Sequence, residues 1–337
     1  MDKNLKHNIK SGILKPCLAL LAAIALIFSA PAAHAAEEKK YIKWVDFNVT
    51  ASAMRDAAAV DTATYGTETH LSWISLLSVL AVRYGGDFKR YKKSDLDAIA
   101  AEAIKNGGVT APKNEKLYRY YTEAYAAVLG GFIGEYTEVS VKNGVEEKHT
   151  AYGIRVFSPI AKGYAYSDYD DFGAARNYGY KRRHLGHDMM GGTGTPIIAV
   201  ESGVVEAIGW NQYGGWRIGI RSLDSKRYYY YAHLRRGHPY PQDLYEGKYV
   251  NAGEVIGYLG MTGYSRKEDV NNINVPHLHF GLEVIFAPEQ KDGYNQIWVN
   301  CYEIAEFLRN SRSAVYRNEG EKDYIARSFR IPSEFPD

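Results

Sequence analysis

Over residues 41–134 the apolar positions recur at intervals of three and four, the spacing that keeps side chains on one face of an α-helix. Trp73, Leu76, Leu77, Leu80 and Ala81 form one such stripe within 70–84, and Gly85-Gly86 follow as a helix terminator would. A second helix is predicted to start at Ser94, with Asp97 in capping-box position, and to stop at Gly107-Gly108. A third covers about 114–129, and a weaker pattern spans about 50–64. After Gly134 the period shortens to two. Short alternating runs punctuated by glycine occupy 197–200, 203–209, 216–221, 227–234, 255–259 and 277–285. Asn143-Gly144, between runs at 139–142 and 145–148, is a strong hairpin signal. The pattern predicts an α+β fold. A small helical domain over 36–135 precedes a mainly antiparallel β-sheet domain over 136–290. A last helix, at about 300–310, and a charged tail fill 291–337.

Composition narrows the class. The 337 residues are 46% hydrophobic and 24% charged, a globular mix with room for two domains and no disordered or collagenous character. The +2 formal charge is carried by the first 35 residues, where Lys3, Lys6, Lys10 and Lys15 stand against Asp2. The remaining 37 basic and 38 acidic groups nearly cancel, so no basic face exists for nucleic acid.

Those first residues also carry an apolar run at about 18–28 and the small-residue site Ala33-His34-Ala35, the layout of a secretory signal peptide over 1–35. Its apolar part is shorter than the ~20 residues that cross a bilayer as a helix, so membrane attachment is expected only where this segment stays uncleaved. Cys17 lies within it. Cys301 is then the single cysteine of the exported chain, unable to form an internal disulfide and read as a small buried residue of the last helix.

The chemistry concentrates in the histidines. His277 and His279 are two apart in a predicted strand and so project to the same side. His233 ends another strand. His184 and Asp188 are four apart, about 13 Å if fully extended. That is too far for two bonds of about 2 Å to one metal, so the chain must turn between them, and Gly186 is the residue that permits it. Tyr164, Tyr166, Tyr169, Tyr178 and Tyr180 precede His184 in a loop, where they suit either the walls of a substrate groove or packing of the loop onto the sheet. Tyr228 to Tyr231 should alternate, two inward and two outward. His70, His149 and His238 lack spaced partners and are read as surface or packed residues.

The blocks Arg183-His184-Leu185-Gly186-His187-Asp188, Gly194-Thr195-Pro196-Ile197, Ser202-Gly203-Val204-Val205 and Tyr231-Ala232-His233-Leu234 are followed by Val255-Ile256-Gly257, Thr262-Gly263 and His277-Leu278-His279-Phe280. In this order, over about 184–284, they resemble the lysostaphin-type (LytM-like) zinc metalloendopeptidase family. The resemblance implies that His184, Asp188 and His279 ligate Zn2+ and leave a fourth position for the water that acts as nucleophile. It assigns His277 to general-base work on that water, and His233 to hydrogen bonding or proton transfer at the tetrahedral intermediate. It further implies an exported or cell-wall enzyme that hydrolyses peptide bonds in the stems or cross-bridges of bacterial peptidoglycan. Relatives that have lost ligands act instead as regulatory modules binding wall or membrane partners; here every ligand position is filled. Two departures stand out. Gly281 follows the final His-Phe where Glu or Gln is common, which leaves support of the ligands in question. His187 occupies a usually apolar position and is read as a non-ligand.

Overall fold

A computed structural model describes residues 43–142, 145–178, 180–285, 297–317 and 322–333. The secretory-signal reading of 1–35 and the turn residues Asn143-Gly144 fall outside them.

Four helices come first: Ala51–Thr64, Trp73–Tyr84, Lys93–Asn106 and Glu115–Leu129. Their ends have local causes. Thr50 and Asn114 accept from the backbone amides of Ala53 and Leu117, three residues on, which satisfies donors that a helix start leaves open. Gly85 and Gly107 end two helices in the left-handed region, at φ 65° and 74°. The third helix starts at Lys93 rather than Ser94. Its flanking residue, Lys92, has no side-chain cap, and Asp97 pairs with Lys93 one turn back instead of closing a capping box.

The rest is mainly antiparallel sheet, as the period-two pattern predicts. The principal sheet runs in the order Lys43–Val45, Ile297–Val299, His277–Val284, Arg227–Ala232, Gly215–Ser222, Gly203–Asn211 and Tyr249–Val250. His187–Gly191 pairs with the first half of His277–Val284, on the edge whose second half is taken by Ile297–Val299. The predicted hairpin forms as two ten-residue strands, Ile133–Lys142 and Val145–Ile154, paired through to Lys142 and Val145. Two features were not visible in the pattern. Lys43–Val45 is a short strand in a region read as helical, and it pairs in parallel with Ile297–Val299. The charged tail is also structured: Ser328–Pro332 adds to the hairpin, with Phe329 opposite Val139.

One face of the central strands is apolar and covered. Tyr229, Tyr231, Leu278, Phe280 and Leu282 are buried in a cluster that also holds Leu76, Leu77 and Leu80 of the second helix, Phe132, and Phe307 of the last helix, Tyr302–Leu308. Cys301, at the start of that helix, is buried and free. Arg227 ties the layers together. Its guanidinium, 1% exposed, donates to Glu201 at 2.8 and 3.0 Å, to Asp224 at 2.8 Å and to the carbonyl of Ala127 at 3.0 Å, while the Tyr229 hydroxyl donates to Glu201. Alternation sends Tyr228, Tyr230, His277, His279 and Glu283 to the opposite face, which floors a groove.

Candidate active site and metal centre

Three donor atoms converge where two strands meet. His279 lies opposite Asp188 in the register of His277–Val284 with His187–Gly191, so cross-strand pairing alone brings imidazole and carboxylate together. His184 reaches the same point from the turn before His187. Its Nε2 is 3.0 Å from Asp188 Oδ1 and 3.1 Å from His279 Nδ1, and His279 Nδ1 is 2.9 Å from Asp188 Oδ1. A point about 2.0 Å from all three corners of such a triangle lies about 1 Å off its plane, which suits a metal with three protein ligands and an open fourth position. The donor set fits a metal on chemistry as well, with two nitrogens and one carboxylate oxygen within bonding reach of a common centre.

The bend between His184 and Asp188 falls at Gly186, for a reason that differs from the expected one. Its backbone is outside the left-handed region, and a β-carbon there would stand 2.5 Å from Nε2 of His279 and 2.9 Å from the carbonyl oxygen of Phe280. Gly186 supplies room for the His279 ring rather than a special backbone conformation.

His184 has a second partner that the sequence did not reveal. Its Nδ1 lies 3.0 Å from Oδ1 of Asp171, whose other oxygen pairs with Arg176. Burial pulls the His184 imidazole down, but Asp171 and Asp188 outweigh it and hold it up to about 9. The Asp188 carboxyl, raised by burial, is brought far below the carboxylate range by His184 and His279. Asp171 sits in a loop thirteen positions before His184, with no motif around it. The available signal was chemical: a ligating imidazole needs a partner on its other nitrogen.

The two remaining histidines share a mode of attachment. His233 Nδ1 is 2.9 Å from the carbonyl oxygen of Thr262, and His277 Nδ1 is 2.8 Å from that of Val275. A carbonyl only accepts, so each Nδ1 carries the proton and each Nε2 presents a lone pair. His277 Nε2 is 3.7 Å from Asp188 Oδ1, and the two rings are 4.9 Å apart between centroids. His233 holds a left-handed backbone, φ 63°, uncommon for a residue with a β-carbon and typical of sites where geometry outranks local strain. Burial, then His277 and His279, push its imidazole well below the ordinary histidine value, and burial lowers His279 as well.

His187 points away from the donors. It is buried, its Nε2 lies 2.9 Å from Asp168, and its ring meets Tyr302 edge-on at 5.4 Å. Of the three unspaced histidines, His70 hydrogen-bonds Asp61, His238 pairs with Asp323, and His149 is exposed on the hairpin.

The groove above these residues encloses about 950 Å³. Among the described side chains, its aromatic walls are Tyr213, Tyr228, Tyr230, Tyr264 and Trp298. Tyr166 packs beneath the guanidinium groups of Arg309 and Arg312, and Tyr164 against Tyr324, so these two serve the loop's packing. Tyr169 is exposed outside the groove, and the side chains of Tyr178 and Tyr180 lie outside the described residues. Gly281 has its own explanation, since Trp298 covers it and a β-carbon would stand 2.5 Å from Cζ3 of the indole.

Residues 182–294 match the profile of peptidase family M23. The chain carries a peptidase family M23 domain. His184, Asp188 and His279 all fall inside the matched stretch, whereas Asp171 lies before it. Among curated relatives, the chain is 35% identical over 167 residues to the L-Ala--D-Glu endopeptidase of Bacillus subtilis, covering 49% of this chain and 47% of that protein. It is 37% identical over 120 residues to lysostaphin of Staphylococcus simulans, covering 35% and 20%. The chain thus spans less than half the length of either relative. The crystal structure of a LytM protein from Ruminococcus gnavus aligns with 79% of this chain and 90% of its own at a TM-score of 0.50 and 22% identity, a likeness of fold. That alignment extends well beyond the M23 stretch.

Proposed function

We propose that this protein is an exported zinc endopeptidase that hydrolyses amide bonds in the peptide stems or cross-bridges of bacterial peptidoglycan. The observation that carries the reading is the convergence of His184 Nε2, Asp188 Oδ1 and His279 Nδ1 at the floor of a groove into which His233 and His277 both turn an unprotonated Nε2. The M23 match and the endopeptidase names of its relatives support the substrate class.

His184, Asp188 and His279 would hold the zinc. When bound, zinc draws the pKa of a water toward 7 and polarises the scissile carbonyl. The chain's own residues perform the rest. Asp171 fixes the His184 ring through Nδ1, and Gly186 leaves the His279 ring its place. His277 Nε2 takes the proton from the attacking water as its oxygen bonds to the carbonyl carbon. His277 then gives that proton to the departing nitrogen, while His233 Nε2, tethered through Thr262, accepts a hydrogen bond from the hydroxyl left on the tetrahedral carbon. The carbon–nitrogen bond then breaks, leaving a carboxylate and an amine.

The test is mass spectrometry of fragments released from purified peptidoglycan, with and without a chelator. New amine-ended fragments that vanish with chelator and return with zinc are expected. His184→Ala and Asp188→Ala should lose zinc and activity together, whereas His277→Ala and His233→Ala should retain zinc and lose turnover by at least about a hundredfold. Normal turnover by His277→Ala would overturn the assigned base. Bound zinc without fragments from several wall chemotypes would favour a regulatory, non-hydrolytic module.

A further inference from the structure

His187 precedes Asp188 in the chain and faces the other side of the same strand, where it is buried. That strand, His187–Gly191, is paired with His277–Val284 along one edge, but on its other edge Tyr166–Ser167 covers only Met190 and Gly191. The flank beside His187 and Asp188 has no paired strand among the described residues. Side chains hold it instead.

The anchor is Asp168, whose side chain is 6% exposed. One of its oxygens lies 2.9 Å from His187 Nε2, and the other accepts from Arg309 Nη2 at 2.7 Å. A carboxylate engaged on both oxygens by charge-assisted bonds cannot turn without breaking one of them. Arg309 is itself fixed, since its Nε donates to Glu306 at 3.0 Å and its guanidinium covers the Tyr166 ring at 4.9 Å.

Asp168 also opens the short acidic segment that ends in Asp171, the partner of His184 Nδ1. Within it, Asp170 Oδ1 accepts from the side-chain amide of Asn300 at 3.3 Å. Just beyond it, the Gly173 amide donates to the His184 carbonyl at 2.7 Å and the His184 amide to the Ala174 carbonyl at 2.9 Å. Asn300 and Arg309 flank the last helix, Tyr302–Leu308. One segment thus grips the chain at His184 and at His187, and both ends of the last helix grip that segment. Asp168 lies before the M23 stretch and Arg309 after it.

We propose that Asp168 and Arg309 are positioning residues of the metal centre, setting Asp188 through His187 and setting His184 through Asp171. The last helix thereby becomes part of the site. This deepens the zinc-peptidase reading and rests on it for the identity of the metal.

The test uses the full-length protein, held well below its melting temperature, in three measurements. Competition with a chromophoric chelator gives zinc affinity, visible absorption of the cobalt-loaded protein reports ligand geometry, and melting of the metal-free protein reports stability. Asp168→Asn keeps the size of the side chain and removes its charge, whereas Arg309→Met keeps a stem over Tyr166 and removes the donors. Each should weaken zinc binding by about tenfold and shift the cobalt absorption. The double variant should lose little more than Asp168→Asn alone, because the two act in series. Arg309→Lys should recover most of the affinity, since Asp168 takes a single bond from Arg309. Arg227→Met is the control for a purely structural loss: it lies five positions along its strand from Ala232, the residue opposite His279. It should lower the melting temperature and leave zinc affinity and cobalt absorption at wild-type values.

Wild-type zinc affinity and cobalt absorption in Asp168→Asn and Arg309→Met, whatever their melting temperatures, would overturn the proposal. So would losses that add in the double variant, or a loss in Arg227→Met as large as theirs. Release of wall fragments is scored separately. Zinc binding without release would sink the peptidase reading and leave the positioning result to stand or fall by itself; a wild type that takes up neither metal would sink both.

Discussion

The imidazole of His279 rests against the backbone of Gly186, at a separation that leaves no room for a β-carbon. One metal-donor ring is thereby positioned by the absence of a side chain in the segment that carries the other two donors. Gly186→Ala should displace the ring and weaken zinc binding by about tenfold or more, with a lowered melting temperature in the apo protein because the new β-carbon also presses on the Phe280 carbonyl oxygen. Competition against a chromophoric chelator measures it; undiminished affinity would mean that the ring shifts without consequence.

Asp171 should act on zinc through His184. Asp171→Asn retains an oxygen that can accept from Nδ1 and should lower zinc affinity modestly, while Asp171→Ala should lower it by about 10- to 100-fold. The contrast between the two is the informative quantity. If both variants bind zinc like the wild type, the 3.0 Å approach of Asp171 to His184 has no bearing on the site.

The Arg227–Glu201 pair makes a stability prediction remote from the groove floor. Removing one member leaves the other charge buried, so Arg227→Met or Glu201→Leu alone should destabilise the fold by about 3–5 kcal/mol in urea denaturation. The double variant should recover much of that loss, since neither charge is then stranded. Additive losses would show that the two residues act independently despite their bidentate contact.

Glu283 gives a pH signature. Burial pushes its carboxyl up to about 7, with Arg221 opposing and Glu206 reinforcing the shift. Tyr228 and Trp298 are the other neighbours in register. In the unfolded chain the group ionises at its ordinary value of 4.5. Below that value both states are protonated and the group is neutral to stability. As pH rises from there through 7 the unfolded state gains, and the fold loses up to about 3 kcal/mol by pH 8. Glu283→Gln should therefore match the wild type at pH 4 and exceed it at pH 8 in melting temperature. An advantage that is equal at both pH values would tie the effect to packing.

Much of the site was legible because strand periodicity fixes which side chains share a face. His277 with His279, and Tyr228 with Tyr230 apart from Tyr229 and Tyr231, follow from a period of two. The ordered blocks around His184 and His233 supplied the rest of the resemblance. Asp171 stayed hidden because a loop has no period and its contact depends on tertiary placement. Several of the groove's aromatic walls stayed hidden for a similar reason. Tyr213, Tyr264 and Trp298 come from three distant segments that only the folded sheet brings together. Lys43–Val45 was missed because three residues are too few to show any alternation, and its partner lies more than 250 positions away.

That pairing of Lys43 with Ile297 also governs the order in which the molecule can be completed. During synthesis the earliest described strand has to wait for almost the whole chain before its partner exists, a contact of very long sequence separation and therefore a late one. Until Ile297–Val299 arrives, the half of the His277–Val284 strand that bears Glu283 has an open edge, available to any other extended segment. A product interrupted shortly after Val284 would hold every histidine of the site and still lack that cover, so its predicted fate is association with other copies or proteolysis rather than premature activity.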